Sequence, residues 1–283
     1  MTLANEWPMP AAPFGSATVD DKEYTLIEHL ADLRTRLGRA LLGILVFAVG
    51  AFAVSEELLE MLRAPMQSIL TEVHGPTARF MVTGAAEYIV AQMKVALVAG
   101  VFLSSPWVLY QVWCFVAPGL YAHERRYAMI FIWAGAVCFC AGGAFCHLAV
   151  FPTMFRFLVE SIPDDIAMMP SLDEHFSFTL KMLLAFALVF ETPVFIFVLS
   201  LAGVVDPHKL GAYRRYVIVI AFIIGAVLTP TPDFLTQFML AGPLIVLFEI
   251  GVLVSKFAVR VAGTPLSRRD RADATSTPPP ERG

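Results

Sequence analysis

Residues Ala128 to Phe151 contain no Asp, Glu, Lys or Arg. A helix of about twenty such residues crosses the hydrocarbon core of a bilayer. Comparable apolar runs extend from about Leu37 to Val54, Tyr88 to Val108, Phe176 to Leu201 and Phe234 to Val254. A sixth, Tyr216 to Leu228, is shorter: about thirteen residues reach roughly 20 Å at 1.5 Å per residue, less than a core about 30 Å thick. Charged residues make up 16% of the chain, against about a quarter in soluble domains. The expected fold is therefore all-α, a polytopic membrane protein of six transmembrane helices. It forms one domain (residues 24–258), because the spans must pack on one another. Residues 1–23, with Pro8, Pro10 and Pro13, read as a disordered tail, and 259–283 as a second, basic and Pro-rich one. Asp20, Asp21 and Glu23 argue against a cleavable signal peptide.

The net charge of −4 matters less than where the cations lie. Lys22, Arg34, Arg36, Arg39, Arg125, Arg126, Lys209, Arg214, Arg215 and the basic residues from Lys256 onwards fall on one side of a six-span topology. Only Arg63, Arg79 and Arg156 fall on the other. The positive-inside rule then puts both termini in the cytoplasm, with outer loops near 55–87 and 152–175. Cys114, Cys138, Cys140 and Cys146 lie in or beside apolar runs and do not form a disulfide framework. With only His147 near them, no metal site is expected.

Several polar residues invite a function and also allow a plainer one. Ile27, Leu30, Leu33 and Leu37 mark an amphipathic N-terminal helix, started by a Thr25–Glu28 capping box. Glu28, Asp32 and Arg36 recur every four residues on another face, a spacing for ion pairs. Pro65 is expected to break an amphipathic helix lying on the outer surface. Lys94, about one turn inside the second span, is expected to snorkel to the interface rather than pair with a carboxylate. Tyr110 to Tyr127 reads as a cytoplasmic loop in which Glu124 faces a cationic peptide, although Arg125 and Arg126 would also serve as topological anchors. Glu191, deep in the fourth span, is either a group facing a wet cavity or partner, or a protonated or lysine-paired structural group. Glu249 lies near the inner interface. Pro193 and Pro243 would kink spans four and six.

No phosphate-binding loop, metalloprotease motif, nucleophile elbow or nucleophile–base pair is present, so no catalytic residue is assigned. Three classes remain open from the residues: a receptor for a cationic peptide, a proton-coupled secondary transporter with Glu191 as relay, and an intramembrane enzyme lacking a visible catalytic set. The charges cluster at the inner surface rather than at mid-membrane. No internal repeat stands out, which weighs against an inverted-repeat transporter.

The segments H-L-A-D-L-R-T-R-L at 29–37, S-P-W-V-L-Y-Q-V-W-C-F-V-A-P-G-L-Y-A-H-E-R-R at 105–126, F-E-T-P-V at 190–194, L-T-P-T-P-D at 228–233 and F-E-I-G at 248–251 resemble the TatC family. That family is the multi-span core of the twin-arginine protein translocase, and the resemblance runs from about Tyr24 to Phe257. It implies a cupped six-helix bundle in the cell inner membrane, with no cofactor and no nucleic-acid partner. Such a bundle binds twin-arginine signal peptides of folded precursors at its cytoplasmic face. It works with single-span TatA- and TatB-type partners, self-associates in the receptor complex, and uses the proton-motive force for export. By position, the resemblance assigns signal-peptide binding to Asp32, Phe115 and Glu124. It makes Glu191 the polar residue of the concave face, and Thr229 and Gln237 the seat of a partner helix. Pro65 matches the proline of the first outer loop. Asp32 stands where glutamate is commoner, so the carboxylate is kept one methylene shorter.

Overall fold

The computed structural model describes residues 26–116, 128–163, 169–201, 205–228 and 234–262. Among these the chain is helical, and its only β pairing is an isolated bridge between Met81 and Ser171. Six helical stretches are long and apolar enough to cross a membrane: Leu30–Phe52, Ala85–Leu103, Met129–Glu160, Leu172–Ser200, Gly211–Leu228 and Gln237–Phe257.

The first helix, α1 (Leu26–Phe52), runs unbroken from the amphipathic segment into the first span. It packs along α3 (Ala85–Leu103). After α3 the chain turns at Ser104 and enters α4 (Ser105–Val116). Pro106 explains the break, since it has no N–H to continue the ladder and disfavours helical geometry at the residue before it. The second span therefore ends near Leu103 rather than Val108. The first part of the expected loop, Tyr110 to Val116, is helix instead.

The third span is α5 (Ala128–Phe145), continued by a π-helical turn (Cys146–Val150) and α6 (Phe151–Glu160). The α6 helix is amphipathic and buries Phe151, Met154, Phe155 and Val159. The fourth span is α7 (Leu172–Phe190), which stops at Glu191, followed by α8 (Thr192–Leu201). Gly142 on α5 allows close packing on α7: a Cβ there would lie 2.6 Å from the Phe186 carbonyl oxygen. A short α9 (Pro207–Leu210) and one 3-10 turn lead to α10 (Arg214–Leu228). At 15 residues, α10 is roughly 22 Å long, the short fifth span expected from sequence. The last span, α11 (Phe234–Ala262), packs on α8 and α10 and carries Pro243 within its length.

One end of the bundle is capped by α2 (Ser55–His74) and α6. Leu59, Leu62, Met66, Ile69 and Leu70 of α2 join Phe151, Met154, Phe155 and Val159 and the first turns of α7 in the main hydrophobic core. This packing overrides the break expected at Pro65. The proline removes one ladder hydrogen bond, but the buried face holds the helix continuous through it.

A polar clamp joins α3 to α7 at the same end. Lys94 donates to Asp173 at 2.5 Å and to Ser177 at 2.9 Å, so it is paired rather than left to snorkel. Its partner lies 79 positions further on. Glu87 accepts from the Asp173 and Thr83 backbone N–H groups at 2.9 and 2.7 Å.

Candidate functional site

At the opposite end, α1 begins with Asp32, Arg34, Arg36 and Arg39. The Arg36 guanidinium donates to the Asp32 carboxylate at 2.7 Å, the i,i+4 pair anticipated from spacing. Both are partly open to solvent, with 37% of the Asp32 side chain and 23% of the Arg36 side chain exposed. Arg36 also lies beside Cys114 of α4, and Tyr110 lies near Arg36 and Arg39.

Trp107 locks α4 onto α1. Its indole N–H donates to the Arg39 carbonyl at 3.0 Å. The ring fills the space left open at Gly43, where a Cβ would collide with it. On its other side α4 packs on α5, with Trp113 stacked on Phe131 at 5.3 Å between centroids. Phe115, in the last turn of α4, is half-buried. Asp32 and Phe115 thus sit on adjoining, mutually fastened helices. Glu124 and Thr229 lie outside the described residues, as do the first tail and the second tail beyond 262; residues 259–262, expected to open that tail, instead continue α11.

Glu191 stands at the break between α7 and α8 and is 2% exposed. Its N–H closes α7 onto Leu188, and its carbonyl accepts from Phe195 at 2.9 Å. Pro193, at the second position of α8, suits a helix start, where its missing N–H costs nothing. The Glu191 carboxylate borders an apolar cavity of about 160 Å³ with Leu109, Trp113, Ile132, Val194 and Val198. Its Oε1 is buried without a hydrogen-bond partner among the described residues. Gly135 makes room for it: a Cβ there would lie 3.1 Å from Oε2. No lysine pairs with it among the described residues, so the lysine-paired alternative is set aside.

Gln237 lies near the start of α11, and its amide donates to the Phe222 carbonyl of α10 at 2.7 Å. It therefore fastens the short fifth span to the sixth. Glu249, read as a bland interfacial residue, accepts from Arg214 at 2.6 Å and ties the other end of the same pair. Trp107 and Gly43 were not singled out from the sequence. A tryptophan in an apolar run resembles any core or interfacial aromatic, and its notch lies 64 positions away.

Six helices long and apolar enough to cross a membrane, capped at one end and charged at the other, define a polytopic helical membrane protein. The family model for the Sec-independent protein translocase protein TatC matches residues 28–243. The TatC of Halothiobacillus neapolitanus is 41% identical over 81% of this chain and 61% of its own length. That of Azotobacter chroococcum is 40% identical over 82% of this chain and 89% of its own. A crystal structure of the twin-arginine translocase receptor TatC superposes with a TM-score of 0.72 at 34% identity, covering 82% of this chain and 100% of that one. The chain belongs to the TatC family: it is a membrane-embedded component of a Sec-independent protein translocase, not an enzyme.

Proposed function

We propose that this chain is the signal-peptide receptor of its translocase. It binds twin-arginine signal peptides of folded precursors at the cytoplasmic face of the inner membrane, with both termini on that side. Asp32 and Glu124 accept the two arginines, and Phe115 packs against the peptide. TatA- and TatB-type single-span helices complete the machine, which draws on the proton-motive force.

The observation that carries this reading is the Asp32 carboxylate, presented part-exposed on a helix fastened to α4. Adjacent side chains of an extended peptide project in opposite directions, so paired arginines want two acceptors. A guanidinium offers a rigid fork that a carboxylate accepts in two places, which lysine does not match. The site is partly wet, so each contact is worth about 1.5–3 kcal/mol.

The test is photocrosslinking of a twin-arginine peptide at matched protein abundance. Glu124→Gln should weaken it more than Asp32→Asn, the double variant should nearly abolish it, and added salt should weaken it. Full crosslinking in the double variant would leave these carboxylates with only topological or structural roles.

A further inference from the structure

Arginines are scarce on the capped side of the molecule, and two of the three there converge. Arg63 of α2 and Arg79 of the following segment line one cavity of about 390 Å³, together with Leu59, Gln67, Phe80, Tyr88 and Leu172. Val82 completes the wall, and no carboxylate contributes to it. The third arginine, Arg156, is engaged elsewhere, with Glu72 at 2.7 Å and Glu160 at 3.4 Å.

The backbone builds this cavity. Gly75 adopts a φ of +88°, open to glycine at little cost, and returns the chain along α2. The Gln67 amide then donates to the Ala78 carbonyl at 3.0 Å, which fixes Arg79 on the same side of α2 as Arg63. Beyond it, the Met81 N–H donates to the Pro170 carbonyl at 3.0 Å, and the Leu172 N–H to the Met81 carbonyl at 3.0 Å. The segment carrying Arg79 is therefore pinned at both ends.

Within this frame the cations are scarcely neutralised. Arg63 meets only Glu60, at 3.4 Å, and Arg79 has no partner among the described residues. The floor is apolar: Leu59 is 2% exposed and Leu172 4%. Tyr88, in the first turn of α3, also lines the cavity. Two guanidiniums over an apolar floor, where a membrane helix begins, match a phosphate joined to hydrocarbon. We propose that this cavity binds the phosphate headgroup of an anionic phospholipid, with the glycerol end of its chains against Leu59 and Leu172.

The full chain in nanodiscs of mixed phosphatidylcholine and phosphatidylglycerol provides the test. Native mass spectrometry of the released protein counts retained phosphatidylglycerol. The wild type should retain it over phosphatidylcholine, and Arg63→Gln with Arg79→Gln should cut retention by about tenfold, as expected for losing charge-assisted contacts. Arg79→Gln alone breaks no hydrogen bond or ion pair among the described residues and should lower retention by about threefold, which covers the case in which the double variant does not fold. Arg156→Gln removes the same charge outside the cavity and should change nothing. Equal retention in wild type and the cavity variants would overturn the proposal, as would an equal loss on Arg156→Gln. Binding of inorganic phosphate without any lipid preference would also overturn it, by assigning the cavity to a free anion.

Discussion

The Asp32 carboxylate is already occupied: Arg36, one turn further along α1, holds it at 2.7 Å. If Asp32 receives an arginine of the signal peptide, that arginine has to displace or share with Arg36. Exposed pairs of this kind are worth about 0–1 kcal/mol, so the competition is weak enough for a peptide to win.

Arg36→Gln should accordingly raise the affinity for a twin-arginine peptide by about two- to fivefold at low salt. The matched change Arg39→Gln removes the same charge without freeing Asp32 and should do less. The gain should vanish in an Asp32→Asn background. Titration of a labelled peptide onto the protein in nanodiscs reads all three, and a gain that persists without Asp32 would show simple relief of repulsion.

Glu191→Ala should leave abundance in the membrane unchanged. No lysine among the described residues pairs with the carboxylate, and its buried Oε1, unpartnered among them, already carries a cost that alanine removes. Export should nevertheless fall while signal-peptide crosslinking persists, if Glu191 acts after docking. Quantified export against immunoblotted abundance separates these effects, and normal export in Glu191→Ala would remove the residue from the mechanism.

Gln237→Leu should weaken crosslinking to a TatB-type helix without abolishing signal-peptide binding. The structure adds a second effect. Losing the bond to the Phe222 carbonyl loosens α10 from α11, at a cost of about 0.6–2 kcal/mol for an interhelical hydrogen bond in lipid. Gln237→Asn, which keeps the amide on a shorter arm, helps apportion the two effects. Unchanged crosslinking in Gln237→Leu would exclude this partner site.

A cysteine placed at Asp165 on a cysteine-free background should react with a membrane-impermeant maleimide added from outside intact cells, because the cation distribution puts this loop outside. Labelling only after the cytoplasmic side is exposed would reverse the topology.

The sequence by itself determined the number of spans, the short fifth helix and the pairing of Asp32 with Arg36. These depend on local quantities: run length, hydropathy, and a four-residue spacing that any helix brings onto one face. Family membership was legible for a similar reason, in contiguous motifs such as the one from Ser105 to Arg126. Tertiary structure decided what depends on distant segments. Lys94 looked like a lysine reaching for the interface because Asp173 is remote in sequence; packing of α3 on α7 makes it one half of a clamp. Pro65 looked like a break because its own helix loses a hydrogen bond there, whereas the force holding α2 together comes mainly from α6 and α3. The seating of Trp107 against Gly43 and the convergence of Arg63 with Arg79 have the same origin. Side chains far apart along the chain meet only once the helices have chosen their neighbours, and that choice is made by packing.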